Sequence, residues 1–83
     1  MNPSKLLRKL ASGAFQNVPF SDFRRLVTAF GFGLARTSGS HHIFIHPGIP
    51  ELINLQEVGG EAKPYQMRQF LRLVEKYALR MEE

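Results

Sequence analysis

All three histidines of the chain fall within six residues, in 36-RTSGSHHIFIHP-47. Imidazole is the side chain that exchanges a proton near neutral pH, so such a cluster raises three possibilities: a metal site, a packed strand, or an acid–base group. Metal ligation fails on geometry. His42 and His46 share one face of an extended segment, but four strand residues separate them by ~13 Å. A zinc ion holds its ligands at ~2 Å, and neighbouring His41 and His42 point to opposite faces. There is no cysteine and no HExxH spacing. His42 alternates in phase with Phe44, the large apolar residue expected to face the core. It therefore reads as a half-buried packing residue, hydrogen-bonded at one nitrogen. His46 shares that phase but ends the strand before Pro47, which suits a turn or solvent role. His41 opens the strand in the phase of Ile43 and Ile45, on the side away from Phe44. An imidazole left in water titrates near ~6.5, so one on that open side can take or give a proton. Gly39 and Ser40 just before it leave backbone N–H groups free to hold a phosphate.

The elements that must present His41 follow from periodicity. Leu6, Leu7 and Leu10 predict a helix over 3–11, with Ser4 as its cap. A loop, 12-SGAFQNVP-19, leads to a second helix capped by Ser21, with Asp22 in its first turn. Phe23, Leu26, Val27 and Phe30 form its apolar face, and Gly31 ends it. The period then changes to two. Residues 32–37 predict a strand with Phe32 and Leu34 on one side, 37-TSGS-40 a tight turn, and 41–46 the returning strand of a hairpin. A turn at 47-PGIPE-51 and a third strand at 52-LINLQ-56 follow. Gly59 and Gly60 loosen the chain before Pro64 opens a closing helix that runs to about Leu79. Met67, Phe70, Leu71, Val74, Tyr77 and Ala78 give that helix its apolar face. Arg68, Arg72, Lys76 and Arg80 line a neighbouring one. The expected architecture is a two-layer α+β sandwich, a three-stranded antiparallel sheet with helices on one face.

Composition narrows the functional classes. Eighty-three residues, 43% hydrophobic and 22% charged, describe one small globular domain with a modest core. The absence of cysteine rules out a disulfide framework and a thiolate nucleophile. No apolar run reaches the ~20 residues of a membrane span, and the basic segment 1–13 lacks the apolar stretch of a secretory signal. A cytoplasmic protein is expected. The net charge of +4 is unevenly spread: Lys5, Arg8, Lys9, Arg24, Arg25 and Arg36 face Asp22 alone in the first fifty residues. A basic half of this kind suits a polyanion such as nucleic acid.

Residues 31-GFGLARTSGSHHIFIHP-47 resemble the signature of the HicA family, the toxins of HicA–HicB toxin–antitoxin pairs. The matching features are Gly31-Phe32 entering a strand, Arg36, Gly39-Ser40-His41-His42, Phe44 and His46-Pro47. The segment 63-KPYQMRQFLR-72 is similar to the start of the family's last helix. The resemblance spans residues 21 to 79. It implies a double-stranded-RNA-binding-like fold of α-β-β-β-α order in residues 21–80, with 1–20 as an N-terminal helical extension. It also implies a ribonuclease that cleaves mRNA until a HicB-like antitoxin blocks it, with His41 as the catalytic histidine. No cofactor or metal is expected. Arg36, Ser40, Lys63, Arg68 and Arg72 are the expected RNA contacts, Arg36 and Lys63 being the cations expected to offset charge at the phosphate. Two departures stand out: 52-LINLQEVGGEAK-63 lacks a Val-Pro-His-like segment, and about twenty residues precede Ser21. The rival reading is a non-catalytic RNA-binding module of the same fold. Ile43 and Ile45 are expected on the open face of the sheet, either as a partner surface or beneath the helix at 3–11.

Overall fold

Three helices end on one hydrogen-bond pattern, and those endings set where the chain turns next. The computed structural model describes residues 1–82. The elements are α1 (Pro3–Ala11), α2 (Phe20–Ala29), β1 (Gly33–Ser38), β2 (His41–Ile45), β3 (Ile53–Val58), β4 (Glu61–Ala62) and α3 (Pro64–Lys76). Past each helix, one N–H bonds back five residues and the one before it three. The pairs are Ala14 to Lys9 and Gly13 to Leu10, Phe32 to Val27 and Gly31 to Thr28, Leu79 to Val74 and Ala78 to Glu75. This is the Schellman arrangement, which places the residue after the cap at positive φ. Gly31 takes φ +94°, and a Cβ there would also lie 3.0 Å from the His46 ring. Ala78 stands in the equivalent place at φ +50° and carries a Cβ. An alanine in the left-handed region costs ~1–2 kcal/mol, of which part returns as lower entropy in the unfolded chain. Ala78→Gly is therefore expected to raise stability by about 0.5–1 kcal/mol, read as a higher urea midpoint at unchanged slope.

The helix starts differ from the sequence expectation. Asn2, not Ser4, caps α1: its Oδ1 accepts from Lys5 N–H at 2.9 Å, and Pro3 fills the first helical position. Neither Ser21 nor any other side chain caps α2. That helix begins at Phe20, whose N–H instead donates to the Gly60 carbonyl at 2.9 Å. The closing helix stops at Lys76 rather than Leu79, so Tyr77 and Ala78 lie beyond its apolar face, Ala78 exposed, and Arg80 lies beyond its basic one.

The sheet has four antiparallel strands, in the order β1-β2-β3-β4, rather than three. Gly59 and Gly60, at φ +59° and +79°, do not loosen the chain. Two successive positive φ values make a tight two-residue hairpin turn, which pairs Glu57 with Ala62 and Val58 with Glu61. The short strand persists because its other edge is used: Ala62 N–H bonds the Val18 carbonyl, and Pro19 bridges to Glu61. At the opposite edge β1 carries a bulge between Leu34 and Arg36. Phe32 is buried ahead of the strand while Leu34 is 49% exposed, so the two do not share a face.

The core lies between the inner sheet face (Phe44, Ile53, Leu55) and the apolar faces of α2 and α3. Phe70 sits at its centre, edge-on to Phe23, Phe30 and Phe32. α1 packs on α2 through Leu6 and Leu10, both fully buried. It leaves the sheet's outer face uncovered: Ile45 remains 50% exposed.

Candidate active site

Sheet register decides what surrounds His41. In antiparallel pairing, residues directly opposite share a face. Ser38, His41 and Gln56 make one row, and Arg36, Ile43 and Asn54 the next. Thr37, His42 and Leu55 form the intervening row on the core side. Period-two counting from buried Phe44 thus puts His41 and Arg36 on the open face, one row apart. The turn between β1 and β2 has two residues, Gly39-Ser40, with Gly39 at φ +59°. A positive φ at the first position matches the II′ turn that suits strand twist.

The three imidazoles serve three different ends. His42 packs its ring 4.8 Å from Phe20, and its Nδ1–H donates to the Ser40 carbonyl at 3.1 Å. His46 packs on Phe32, and its Nδ1 accepts the Gly48 N–H at 2.9 Å, which pins the 47–49 turn. His41 is exposed, and its Nδ1–H donates to Asn54 Oδ1 at 3.1 Å. That bond selects the tautomer in which Nε2 carries the free lone pair. Among the described residues no three histidine, aspartate or glutamate side chains converge.

His41 lies on the rim of an open cleft of about 300 Å³, lined also by Leu52, Asn54, Tyr65, Gln66 and Gln69. One buried amide builds this cleft. Gln66, 6% exposed, reaches from α3 to the β3 edge beyond the end of β4. Its Oε1 accepts Gln56 N–H at 2.9 Å, and its Nε2 donates to the Asn54 carbonyl at 3.0 Å. The amide stands in for a missing strand and fixes the first turn of α3 beside the residue that holds His41.

The expected RNA contacts separate into two groups. Arg36 and Ser40 lie on the hairpin with His41, the Ser40 hydroxyl accepting a long 3.4 Å bond from Gln56. Lys63 sits before α3 with its ammonium 5.7 Å from the Tyr65 ring centre, next to the cleft. Arg68 and Arg72 do not line it. Arg68 lies 4.6 Å over the Phe15 ring, in the loop after α1. Arg72 lines a separate depression with Glu75 and Lys76. There Lys76 pairs with Glu51 at 3.2 Å, and the Tyr77 hydroxyl, donating to Glu51, holds that carboxyl below the usual range. The same carboxylate pushes Lys76 up.

Asn54, Tyr65, Gln66 and Gln69 escaped the sequence reading. Asn54 and Gln56 do carry a signal, since they alternate with Ile53 and Leu55 and so must face outward. The α3 amides carry none: in sequence they look like an ordinary polar helix face.

An open antiparallel sheet backed by helices, with one outward histidine beside a polar cleft, defines a small α+β domain of the double-stranded-RNA-binding-like kind. The family model described as HicA toxin of bacterial toxin–antitoxin matches residues 20–75, more than half of the chain. The chain belongs to the HicA toxin family. That membership implies pairing with an antitoxin. The chain has no match among curated proteins or solved structures. No helix among the described residues is long and apolar enough to cross a membrane.

Proposed function

We propose that this chain is the ribonuclease toxin of a HicA–HicB-like pair, cleaving mRNA in the cytoplasm with His41 as general base. The observation that carries the reading is the His41 ring itself: exposed on a cleft, tied at Nδ1, with no hydrogen-bond partner at Nε2 among the described residues. Nε2 removes the proton from a ribose 2′-OH. The 2′-oxygen attacks the adjacent phosphorus, the bond to the 5′-oxygen breaks, that oxygen takes up a proton from water, and the protonated His41 gives its proton to the hydroxide left behind. The products are a 2′,3′-cyclic phosphate and a 5′-hydroxyl. RNA supplies its own nucleophile, so the step asks the protein for a base and a cation. Arg36 and Lys63 are the cations we assign to the phosphate, with the Ser40 turn beside them. Arg68 and Arg72, away from the cleft, contribute longer-range attraction to the RNA backbone, which salt screens. Residues 21–80 form the RNA-handling unit in this reading, and 1–20 an extension that buttresses α2.

The uncovered apolar side chains Leu52, in the cleft, and Ile45, on the same strand and side as His41, support docking of a HicB-like antitoxin over His41. The test is expression of the parent and of His41→Ala in a bacterial host, scoring growth arrest and mRNA loss. A parent that binds RNA yet leaves mRNA intact makes the chain a non-catalytic RNA-binding module instead.

Asn54 should tune the base. Asn54→Asp puts a carboxylate against Nδ1, which favours the protonated ring. A base works only when unprotonated, so the acid limb of kcat/KM against pH is expected to move up by about one pH unit. An unmoved limb in this variant contradicts the Asn54–His41 bond as a control on the base.

A further inference from the structure

We propose that the cleft beside His41 is a pocket for one unpaired nucleobase. Tyr65 provides the stacking face, and the Asn54 and Gln69 amides meet the edge of the base. The inference rests on the ribonuclease reading for its substrate and goes beyond it: it names the form of RNA taken, a single strand with a base turned out, not a duplex.

Tyr65 is 58% exposed, and Leu52, at 55%, lies in the same cleft. An apolar surface left open beside polar groups suits a flat, edge-polar ligand. The Lys63 ammonium lies over one face of the Tyr65 ring, 5.7 Å from its centre, so the base stacks on the other face and the cation adds positive charge beside it for the RNA backbone. Asn54 uses Oδ1 on His41 and keeps its NH₂ free, and Gln69 has no hydrogen bond among the described residues. Together they offer donors and an acceptor to a base edge.

The platform is rigid as well as open. Buried Gln66 spends both ends of its amide on β3 and touches the Tyr65 hydroxyl at 3.4 Å. Gln66 thereby ties Tyr65 to β3, and Asn54 ties His41 to the same strand. Single-stranded RNA is read by stacking bases on aromatic rings and bonding their edges, whereas duplex RNA hides its base faces and is read through phosphates and 2′-hydroxyls. The residues here fit the first mode.

The test uses the full chain and a short fluorescent RNA strand with 2′-fluoro sugars, which lacks the nucleophile and stays intact. The parent and Tyr65→Phe should prefer the single strand to its annealed duplex. Tyr65→Ala should bind the strand about 10-fold more weakly, as loss of one stacked base implies. A scan with one abasic site at a time leaves the protein untouched and should show a comparable loss at one position. Equal binding by Tyr65→Ala and no sensitive abasic position, or equal affinity for duplex and strand, overturns the pocket. So does a Tyr65→Ala variant that loses only antitoxin binding, since the ring would then serve the protein partner. Cleavage of ordinary RNA separates the two readings. Cleavage by the parent with no Tyr65 dependence removes the pocket and keeps the nuclease. A Tyr65-dependent strand preference without cleavage keeps the pocket and removes the nuclease.

Discussion

His41→Ala is expected to lower RNA cleavage by about 10²–10⁴-fold while leaving fold and RNA affinity near those of the parent. The magnitude is that of a single general base. The preserved fold follows from position: His41 is exposed, and its side-chain bond to Asn54 lies at the surface. Neither group is left buried and unpaired when the ring is removed. Purified parent and variant should therefore share a thermal midpoint and a salt-dependent affinity for RNA, and differ in the appearance of cyclic-phosphate ends. Parental cleavage by the variant would remove His41 from the chemistry. The other histidines give internal controls. His42 and His46 pack on Phe20 and Phe32, so their alanine variants should affect stability first.

Phe70→Ala should have the largest effect on folding, a loss of about 3–5 kcal/mol. The ring is fully buried and meets Phe23 and Phe30 at 5.5 Å and Phe32 at 5.9 Å. Removing it takes one partner from three aromatic pairs and opens a cavity where α2, α3 and the start of β1 meet. Small domains hold only ~5–15 kcal/mol in total, so much of this margin would go. Urea unfolding of the variant should show a much lower midpoint, and Phe70→Leu a smaller drop. Retention of the parent's midpoint would mean that the core has no such centre. Activity should fall along with folding in these variants, unlike the clean separation expected at His41.

Much of this architecture was legible along the chain. The face of α2, that of α3 as far as Val74, the hairpin at Gly39-Ser40 and the buried side of β2 all follow from short-range periodicity. The outward stance of His41 does too, because successive strand side chains alternate through backbone geometry alone. Other features were not legible. β4 is two residues long and depends on Val18 and Pro19, about forty positions earlier. Two glycines in a row read equally well as slack or as a tight turn, and that distant pairing decides which. Arg68, Arg72 and Lys76 recur at one spacing, yet Arg68 meets Phe15 and Lys76 meets Glu51.

The candidate site divides along the same line. Residue order alone placed His41 at the start of its strand, with its glycine-bearing turn and its outward side, since these depend on neighbours a few residues away. The cleft came only with folding. Asn54 reaches His41 across a strand pair, Gln66 replaces a missing strand, and Tyr65 arrives on a helix docked against that edge. Such meetings depend on how whole elements share one buried core, and no local pattern in 63-KPYQMRQFLR-72 announces them.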